Sequence, residues 1–200
     1  MRTTPFTETE RLAIVQAQVE VAVLARPEGA LRVVSMCSGE GRDLIEPISR
    51  LGVGARIRGR LVELDPTLAG RARDAAAAAR LDGLEVVEGD AGVTTAYEGA
   101  VPADLVLVCG VFGNISDQDI KRAVASLPSF CAPSATLIWT RHRRAPDRTP
   151  IIRRWFRAAG FHHEAFIRVP DSEASVGVER FLGTTPPFAS GERLFEFLPH

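Results

Sequence analysis

Two glycines flank a single residue in the segment Cys37-Ser38-Gly39-Glu40-Gly41, which directly follows an apolar run. Glycine lets a backbone turn tightly and come close to a bound molecule, and a helix that begins after such a turn directs its N-terminal amides towards an anionic group. The segment therefore predicts a turn that cradles an anionic ligand. Glycines at this spacing also occur in ordinary strand-to-helix turns, so the interpretation depends on the strands that follow.

Acidic residues stand at the ends of the next two predicted strands. Glu63 ends the second strand 22 residues after Gly41, close to the roughly 20 residues typical of a carboxylate that holds ribose hydroxyls. Asp65 precedes Pro66, so this acid either caps the next helix or contacts the same ligand. Asp90 ends the third strand within Glu88-Gly89-Asp90-Ala91. Together these acids favour a nucleoside site over solvated strand ends.

The fourth predicted strand ends in Cys109-Gly110-Val111-Phe112-Gly113-Asn114. These residues are mostly small or apolar, and a flat base could lie beside them. Ligands of open parallel sheets bind outside the carboxyl ends of the strands, so we expect all of these side chains at one edge.

A parallel sheet covered by helices would position these ligand-binding residues at one edge. Short apolar runs alternate with helical stretches from about residue 31 onward, a rhythm typical of that architecture. We expect five parallel strands, of which the first, fourth and fifth are nearly continuous in apolar residues, as in strands buried on both faces. The five runs are Leu31–Met36, Leu61–Leu64, Leu84–Glu88, Ala103–Cys109 and Ala135–Trp139.

Helix start signals separate these strands. Pro66–Leu81 begins with proline and continues in alanine and arginine, which favours a helix. Ser116 caps a second helix, and Thr149 with the following proline begins a third that ends near Gly160. Pro47 falls inside the helix expected after the first strand and leaves the start of that helix open.

The two ends of the chain have their own patterns. Before the first strand, one face of a predicted helix carries Leu12, Val15, Val19 and Ala22. We expect this helix to pack over the sheet or its mouth. Near the other end, two strand-like runs are separated only by a short polar turn, which predicts an antiparallel hairpin. These runs are Glu164–Val169 and Ser175–Phe181.

The order of these features resembles the class I S-adenosylmethionine-dependent methyltransferases. The strand, the glycine turn, the second-strand acid, the Gly-Asp-Ala segment and the final hairpin extend over roughly Leu31 to Gly183. The resemblance implies an α/β fold: a three-layer, doubly wound, Rossmann-like methyltransferase fold with a seven-stranded mixed sheet and an antiparallel C-terminal hairpin. It also implies S-adenosyl-L-methionine as the cofactor.

In that family the glycine turn contacts the methionine part of the cofactor, and the acid at the end of the second strand binds the ribose. The aspartate after the third strand contacts the adenine amino group, and the end of the fourth strand lines the cofactor. Carried over by position, the cofactor-binding residues are Cys37, Ser38, Gly39, Glu40, Gly41, Glu63, Leu64, Asp65, Asp90, Ala91, Cys109, Gly110 and Val111. Two residues depart from the pattern. Ser35 stands where the family usually has an acid, and Cys37 replaces the first glycine. Gly39 and Gly41 must then supply the flexibility, and the contact with the cofactor's amino group stays open.

Methyl transfer from a sulfonium is an in-line displacement at an activated carbon, so the protein mainly aligns donor and acceptor and excludes water. A general base is optional, and the catalytic residues are otherwise unassigned. If the acceptor must lose a proton, His142 and Tyr97 are the candidates, and Asn114 could orient the acceptor. Each has an ordinary alternative, since His142 lies in an arginine-rich loop and Asn114 precedes the cap Ser116.

Two rival interpretations of the same residues are weaker. A nicotinamide dinucleotide fold would have a third glycine for close helix packing at the position of Leu44, and it generally adds a parallel strand rather than a hairpin. Cys37 and Cys109 could act as covalent nucleophiles, but the Pro-Cys pair of enzymes that methylate pyrimidine carbons is absent. We interpret both thiols as small apolar side chains.

Length and composition limit the remaining classes. The chain has 200 residues, and no stretch is apolar for long enough to cross a bilayer. Its three cysteines form no CxxC pair and have no histidine at ligand spacing, so neither a disulfide framework nor a metal site is predicted. We expect one cytoplasmic domain with residues 1–30 as a helical cap, 31–183 as the core and 184–200 as a tail.

The charge is unevenly distributed along the chain. The overall net charge is −1, but the segment 141–168 holds eight arginines and two acids, a local net charge of +6. Such a run is usually a solvated surface, and few aromatic residues accompany it, so nucleic acid is a second choice of acceptor behind a small molecule. We expect no membrane partner.

We therefore expect methyl transfer from S-adenosylmethionine to an acceptor that the sequence does not identify. The alternatives are a protein that binds S-adenosylmethionine or S-adenosylhomocysteine without catalysis, or a methyltransferase that acts on nucleic acid or protein. The tail is rich in apolar residues that fit packing on their own domain or on a second subunit. These residues are Phe188, Leu194, Phe195, Phe197 and Leu198.

Overall fold

The computed structural model describes the backbone of residues 5–199 and the side chains of residues 9–199, so the start of the expected cap and the last residue of the tail lie outside it. Five α-helices and seven strands follow one another in the described range. The helices are α1 (Pro5–Leu24), α2 (Arg42–Leu51), α3 (Pro66–Ala78), α4 (Asp117–Ser126) and α5 (Thr149–Ala158). The strands are β1 (Leu31–Met36), β2 (Ile57–Glu63), β3 (Leu84–Glu88), β4 (Ala103–Val108), β5 (Cys131–His142), β6 (Phe161–Arg168) and β7 (Ala174–Phe181). Single-turn 3₁₀ helices lie at Gly54–Arg56, Thr94–Tyr97 and Leu127–Phe130.

All seven strands form one mixed sheet in the order β3-β2-β1-β4-β5-β7-β6. The five strands β1 to β5 are parallel, whereas β7 pairs antiparallel with both β5 and β6. The fold class predicted from the sequence is confirmed, including the C-terminal hairpin.

Two hydrophobic cores lie on opposite faces of the sheet, because successive strand residues point to opposite sides. Val33 of β1 belongs to the core that α1, α2 and α3 complete, whereas the next residue, Val34, belongs to the core that α4, α5 and the C-terminal tail complete. From the tail, Leu194 and Phe195 are buried in the second core, so both pack on their own domain. Phe197 and Leu198 remain exposed.

Some element boundaries differ from the expectations. β2 begins at Ile57, four residues before the apolar run, because Gly59 lets this strand lie close against β1, where a Cβ would stand 1.9 Å from the Val33 carbonyl oxygen. α3 ends at Ala78 rather than Leu81, since Arg80 takes a left-handed backbone conformation. Pro47 lies within α2, beyond its first turn.

The described part of the chain includes no helix with the length and apolar character needed to span a membrane.

Candidate functional site

The glycine turn lies between β1 and α2, at the carboxyl edge of the parallel strands. Cys37, Gly39 and Gly41 all have positive φ angles, of 52°, 56° and 73°. A Cβ on Gly41 would lie 2.6 Å from Ile45 Cδ1 and 2.7 Å from Leu61 Cδ2, whereas no atom lies within 4 Å of the corresponding position on Gly39. Gly41 is therefore required by packing and by backbone conformation. Gly39 faces open space, which leaves its backbone accessible to a ligand.

Glu63 ties the second strand end to this turn. Its Oε2 accepts a hydrogen bond of 2.7 Å from the Gly39 amide, and its Oε1 accepts one of 2.9 Å from the Asp65 amide. The side chain is 9% exposed. A carboxylate has about four lone-pair positions, so each oxygen retains one for a further donor. The fold thus fixes a buried carboxylate that can still accept hydrogen bonds beside the glycine turn.

Asp65 caps helix α3, which is one of the two roles that the sequence allows for it. Its Oδ1 accepts from the amides of Thr67 and Leu68, at 2.8 and 3.1 Å, at the start of α3. Leu64, between the two acids, is 63% exposed. The strand end therefore presents one buried carboxylate and one helix cap.

Asp90 lies two residues after β3 and is already engaged by the protein. Its Oδ1 accepts from the Gly92 amide at 2.8 Å, and its Oδ2 forms an ion pair of 2.5 Å with Arg193 Nη1. Arg193 belongs to the C-terminal tail and was not singled out from the sequence. Both side chains remain more than two-fifths exposed, so the pair stands at the surface of the site.

The tail is attached to the two loops that follow β3 and β4. The Leu194 amide donates to the Gly92 carbonyl at 2.7 Å, and the Leu198 amide donates to the Asn114 carbonyl at 2.9 Å. Leu194 and Phe195, 2% and 1% exposed, anchor the segment between these bonds. The tail thus forms one wall of the sheet edge, and its apolar residues were the only sequence signal for this contact.

A cleft of about 490 Å³ opens between α1 and the glycine turn. The leading helix, the turn, the start of α2 and the end of β4 line it, which agrees with the expectation that this helix packs over the mouth of the sheet. The lining residues include Arg11, Leu12, Ser38, Asp43 and Cys109.

Several polar atoms in and around this cleft lack partners within the described chain. They are Ser35 Oγ, Ser38 Oγ and Asp43 Oδ1, all shielded from solvent. Burial raises the pKa of Asp43 to about 6, an effect that the nearby Arg11 guanidinium opposes. Buried polar groups are normally hydrogen bonded, so Ser38 and Asp43 have unused hydrogen-bonding capacity within the lining of the cleft.

The fourth strand end forms the floor of the same cleft. The Gly110 amide donates to Thr140 Oγ1 at 2.9 Å, and its carbonyl accepts from Asn114 Nδ2 at 2.7 Å. These bonds hold the loop while Val111 is fully buried below it. Asn114 is therefore positioned by the loop itself.

The two base candidates have very different surroundings. Tyr97 is completely buried, donates its hydroxyl to the Ala91 carbonyl at 2.8 Å, and has a pKa raised by burial. The structure does not support Tyr97 as a base, because its proton is held inside the core. His142 is partly exposed at the end of β5, and burial together with Arg141 lowers its pKa, which keeps it neutral and able to accept a proton. Neither His142 nor Asn114 lines the cleft described above.

The cysteines at the site are poor nucleophiles. Burial, reinforced by Glu63 and Asp90, raises the pKa of Cys37 to about 12, and burial also raises the pKa of Cys109. Since the thiolate is the reactive form, both side chains act as apolar contacts near neutral pH.

No protein-family model matches the sequence, and a search of curated proteins finds no match. Solved structures do resemble the fold. A magnesium protoporphyrin IX methyltransferase from Synechocystis, with bound S-adenosylmethionine, matches with a TM-score of 0.68 and 14% identity over 90% of this chain and 86% of that one. Aeropyrum pernix fibrillarin, also with bound S-adenosylmethionine, matches with a TM-score of 0.60 and 14% identity over 80% and 73% of the two chains.

A protein of the O-methyltransferase family from Burkholderia thailandensis matches with a TM-score of 0.64 and 19% identity over 94% of this chain. The present chain spans 59% of the length of that protein. The chain therefore has the fold of the class I S-adenosylmethionine-dependent methyltransferases, and the resemblance noted in the sequence is confirmed at the level of the fold.

Proposed function

We propose that the protein transfers a methyl group from S-adenosylmethionine to an acceptor, with a small molecule favoured. The observation that carries this proposal is the Glu63 carboxylate, which is buried, bonded to the Gly39 amide at 2.7 Å and left with free lone pairs. Ribose hydroxyls are donors of the kind that such a carboxylate accepts. The fold of the solved methyltransferases supports the same cofactor.

The other cofactor contacts that the resemblance implies lie along the same edge of the sheet. The turn Cys37–Gly41 would hold the methionine part, Ala91 and Asp90 the adenine, and Cys109–Val111 the surface of the cofactor. The unpartnered atoms of Ser38 and Asp43 fit a ligand that carries both donors and positive charge. Asp43 would then supply the counter-charge that Ser35 cannot supply from the usual position.

When bound, the cofactor supplies a methyl carbon activated by the sulfonium, and the acceptor's electron pair displaces the sulfur. The chain's own residues align the partners and exclude water. Leu12 and Val15 of α1 give the cleft an apolar wall. His142 is the remaining candidate to take a proton from an acceptor that must lose one, because its lowered pKa keeps the imidazole neutral.

A second candidate function is binding of the cofactor or its demethylated product without catalysis. The lining of the cleft favours this alternative, because it includes neither His142 nor Asn114, the residues expected to take a proton from the acceptor or to orient it. A blocked approach of the acceptor would leave binding intact and remove turnover.

Calorimetric titration with S-adenosylmethionine, S-adenosylhomocysteine and NAD tests the proposal. We expect saturable binding of the first two ligands, weakened by about 1–3 kcal/mol in Glu63→Ala through loss of a charged acceptor. Glu28→Ala, in the loop before β1 at the opposite edge, is the matched control. Binding of NAD alone, or no loss in Glu63→Ala, would reject the proposal. Product formation from a panel of small acceptors then separates catalysis from binding.

A further inference from the structure

Several arginines have no ion-pair partner in the described part of the chain, and ten others have a carboxylate oxygen within 4 Å of a guanidinium nitrogen. These are Arg26, Arg42, Arg50, Arg60, Arg71, Arg122, Arg144, Arg148, Arg180 and Arg193. Within the described residues, Arg153, Arg154 and Arg157 of α5 have no such partner. Three arginines without an ion-pair partner therefore lie within about one turn of a single helix.

These three arginines line a groove of about 470 Å³ along α5. Arg154 and Arg157 are exposed, whereas Arg153 is partly buried, with its guanidinium 5.2 Å from the centre of the Phe166 ring on β6. Arg153 Nε is shielded from solvent and has no hydrogen-bond acceptor in the described chain. The groove thus contains fixed positive charge.

The carboxylates around the groove are committed elsewhere. Asp147 Oδ1 accepts from the amide and the hydroxyl of Thr149, at 2.9 and 2.8 Å. Glu164 is paired with Arg180 on the neighbouring strand. Glu179 is buried and bonded to Trp139 and His163. Asp147 lines the groove itself and Glu179 interacts with Arg153, so the exposed guanidinium groups of Arg154 and Arg157 are the ones available to an external anion.

We propose that this groove binds the phosphate groups of an anionic ligand. Guanidinium groups match phosphate oxygens in paired hydrogen bonds and keep their charge at all physiological pH values. Residues three and four apart on a helix are neighbours, so Arg154 and Arg157, and likewise Arg153 and Arg157, can contact adjacent anionic groups of one molecule. The phosphates come from a polynucleotide strand or from a small polyphosphorylated molecule.

Position along the fold connects the groove to the sheet edge. α5 follows the carboxyl end of β5 after the loop 143–148, and Arg148 of this loop pairs with Asp117 at the start of α4. The N-terminal end of the groove therefore lies at the edge that carries the glycine turn. The inference does not rest on the proposed methyl transfer, because the groove is separate from the cleft and its binding is measured without a cofactor.

The test uses two probes on the whole protein, inorganic pyrophosphate by calorimetry and a short single-stranded RNA by fluorescence anisotropy. The variant is Arg154→Gln/Arg157→Gln, in which both side chains are exposed and the fold has no need of them. The control is Arg32→Gln/Arg73→Gln, which removes the same charge from two other exposed positions. Circular dichroism verifies that both variants are folded.

We expect about tenfold or greater loss of binding in the α5 variant and little change in the control. For RNA, three contacts predict a slope of log affinity against log salt of about −2, which falls to about −0.7 when two arginines are removed. RNA binding without pyrophosphate binding assigns the groove to a polynucleotide, and saturable pyrophosphate binding assigns it to a small phosphorylated ligand. No binding of either probe, or equal losses in variant and control, would overturn the proposal.

Discussion

Two buried glutamates on the same sheet show how differently the fold uses one residue type. Glu63 ends a parallel strand, and each of its oxygens accepts a backbone amide, from Gly39 and from Asp65. Glu179 lies within the antiparallel hairpin at 1% exposure, and its Oε1 accepts from Trp139 Nε1 at 3.2 Å and contacts His163 Nδ1 at 3.1 Å. Backbone amides fix Glu63 in place towards an open edge, whereas side chains enclose Glu179.

The difference separates the proposed binding region from a structural one. Burial raises the pKa of Glu179 to about 7, because the hydrogen bond from Trp139 only partly offsets the loss of water. The carboxylate at the edge keeps lone pairs for a ligand, while the one in the hairpin has its donors inside the protein. We therefore expect substitutions in the hairpin to change stability and substitutions at the edge to change ligand affinity.

The largest effect should come from Trp139→Ala, a substitution on β5 opposite Gly177 of the hairpin strand β7. Trp139 is fully buried, stacks on Phe156 with ring centres 5.6 Å apart, and lies so close to Gly177 that a Cβ there would be 2.2 Å from its ring. Truncation of a buried tryptophan costs about 3–5 kcal/mol of stability. Urea unfolding measures the loss. A soluble, folded variant with unchanged stability would show that the hairpin core is not the structural region.

The sequence predicted the sheet and its edge well for a physical reason. Continuous apolar runs and helix start signals are local, so the strand ends of β1 and β3 and the caps Asp65 and Ser116 were readable before any contact was known. Contacts between distant segments were not readable in this way. The pairing of Arg193 with Asp90 depends on where the tail folds back.

Burial was also hard to predict at single positions. Tyr97 follows the third strand and resembled an accessible acid or base, but the 3₁₀ turn Thr94–Tyr97 directs its ring into the core against Phe130. Asp43 was overlooked because it lies after the glycine turn, where an acid at a helix start has an ordinary explanation. Only the cleft against α1 shows that this acid is part of the site.

Glu179→Gln is expected to change how stability depends on pH. The pKa of Glu179 is raised from 4.5 to about 7 in the folded protein, so the folded state binds more protons and loses stability as pH rises through this window. The loss is on the order of 3 kcal/mol, partly opposed by His163, whose pKa burial lowers. Urea unfolding at several pH values should give a flatter profile for Glu179→Gln. Glu28→Gln is the control, and identical profiles for wild type and Glu179→Gln would contradict the assignment.

Asp43→Asn tests how the ionisation of a buried carboxyl group affects ligand binding. The pKa of Asp43 is raised to about 6, so below that pH a bound cation must first displace the proton. We expect the affinity for S-adenosylhomocysteine to fall by about tenfold per pH unit below pH 6 in the wild type. The variant should bind more weakly at higher pH and lose this dependence. An unchanged pH profile in Asp43→Asn would remove Asp43 from the ligand site.

The smallest effect is expected for Arg193→Ala, which frees the Asp90 carboxylate from its ion pair. The Asp90–Arg193 pair is largely exposed, so its loss should change stability by no more than about 1 kcal/mol. The freed carboxylate can then accept a donor from adenine, and the affinity for S-adenosylhomocysteine should rise a few-fold. Arg193→Lys retains the charge and is the control. A fall in affinity instead would mean that Arg193 itself contacts the ligand, which would add the tail to the binding region proposed around Glu63.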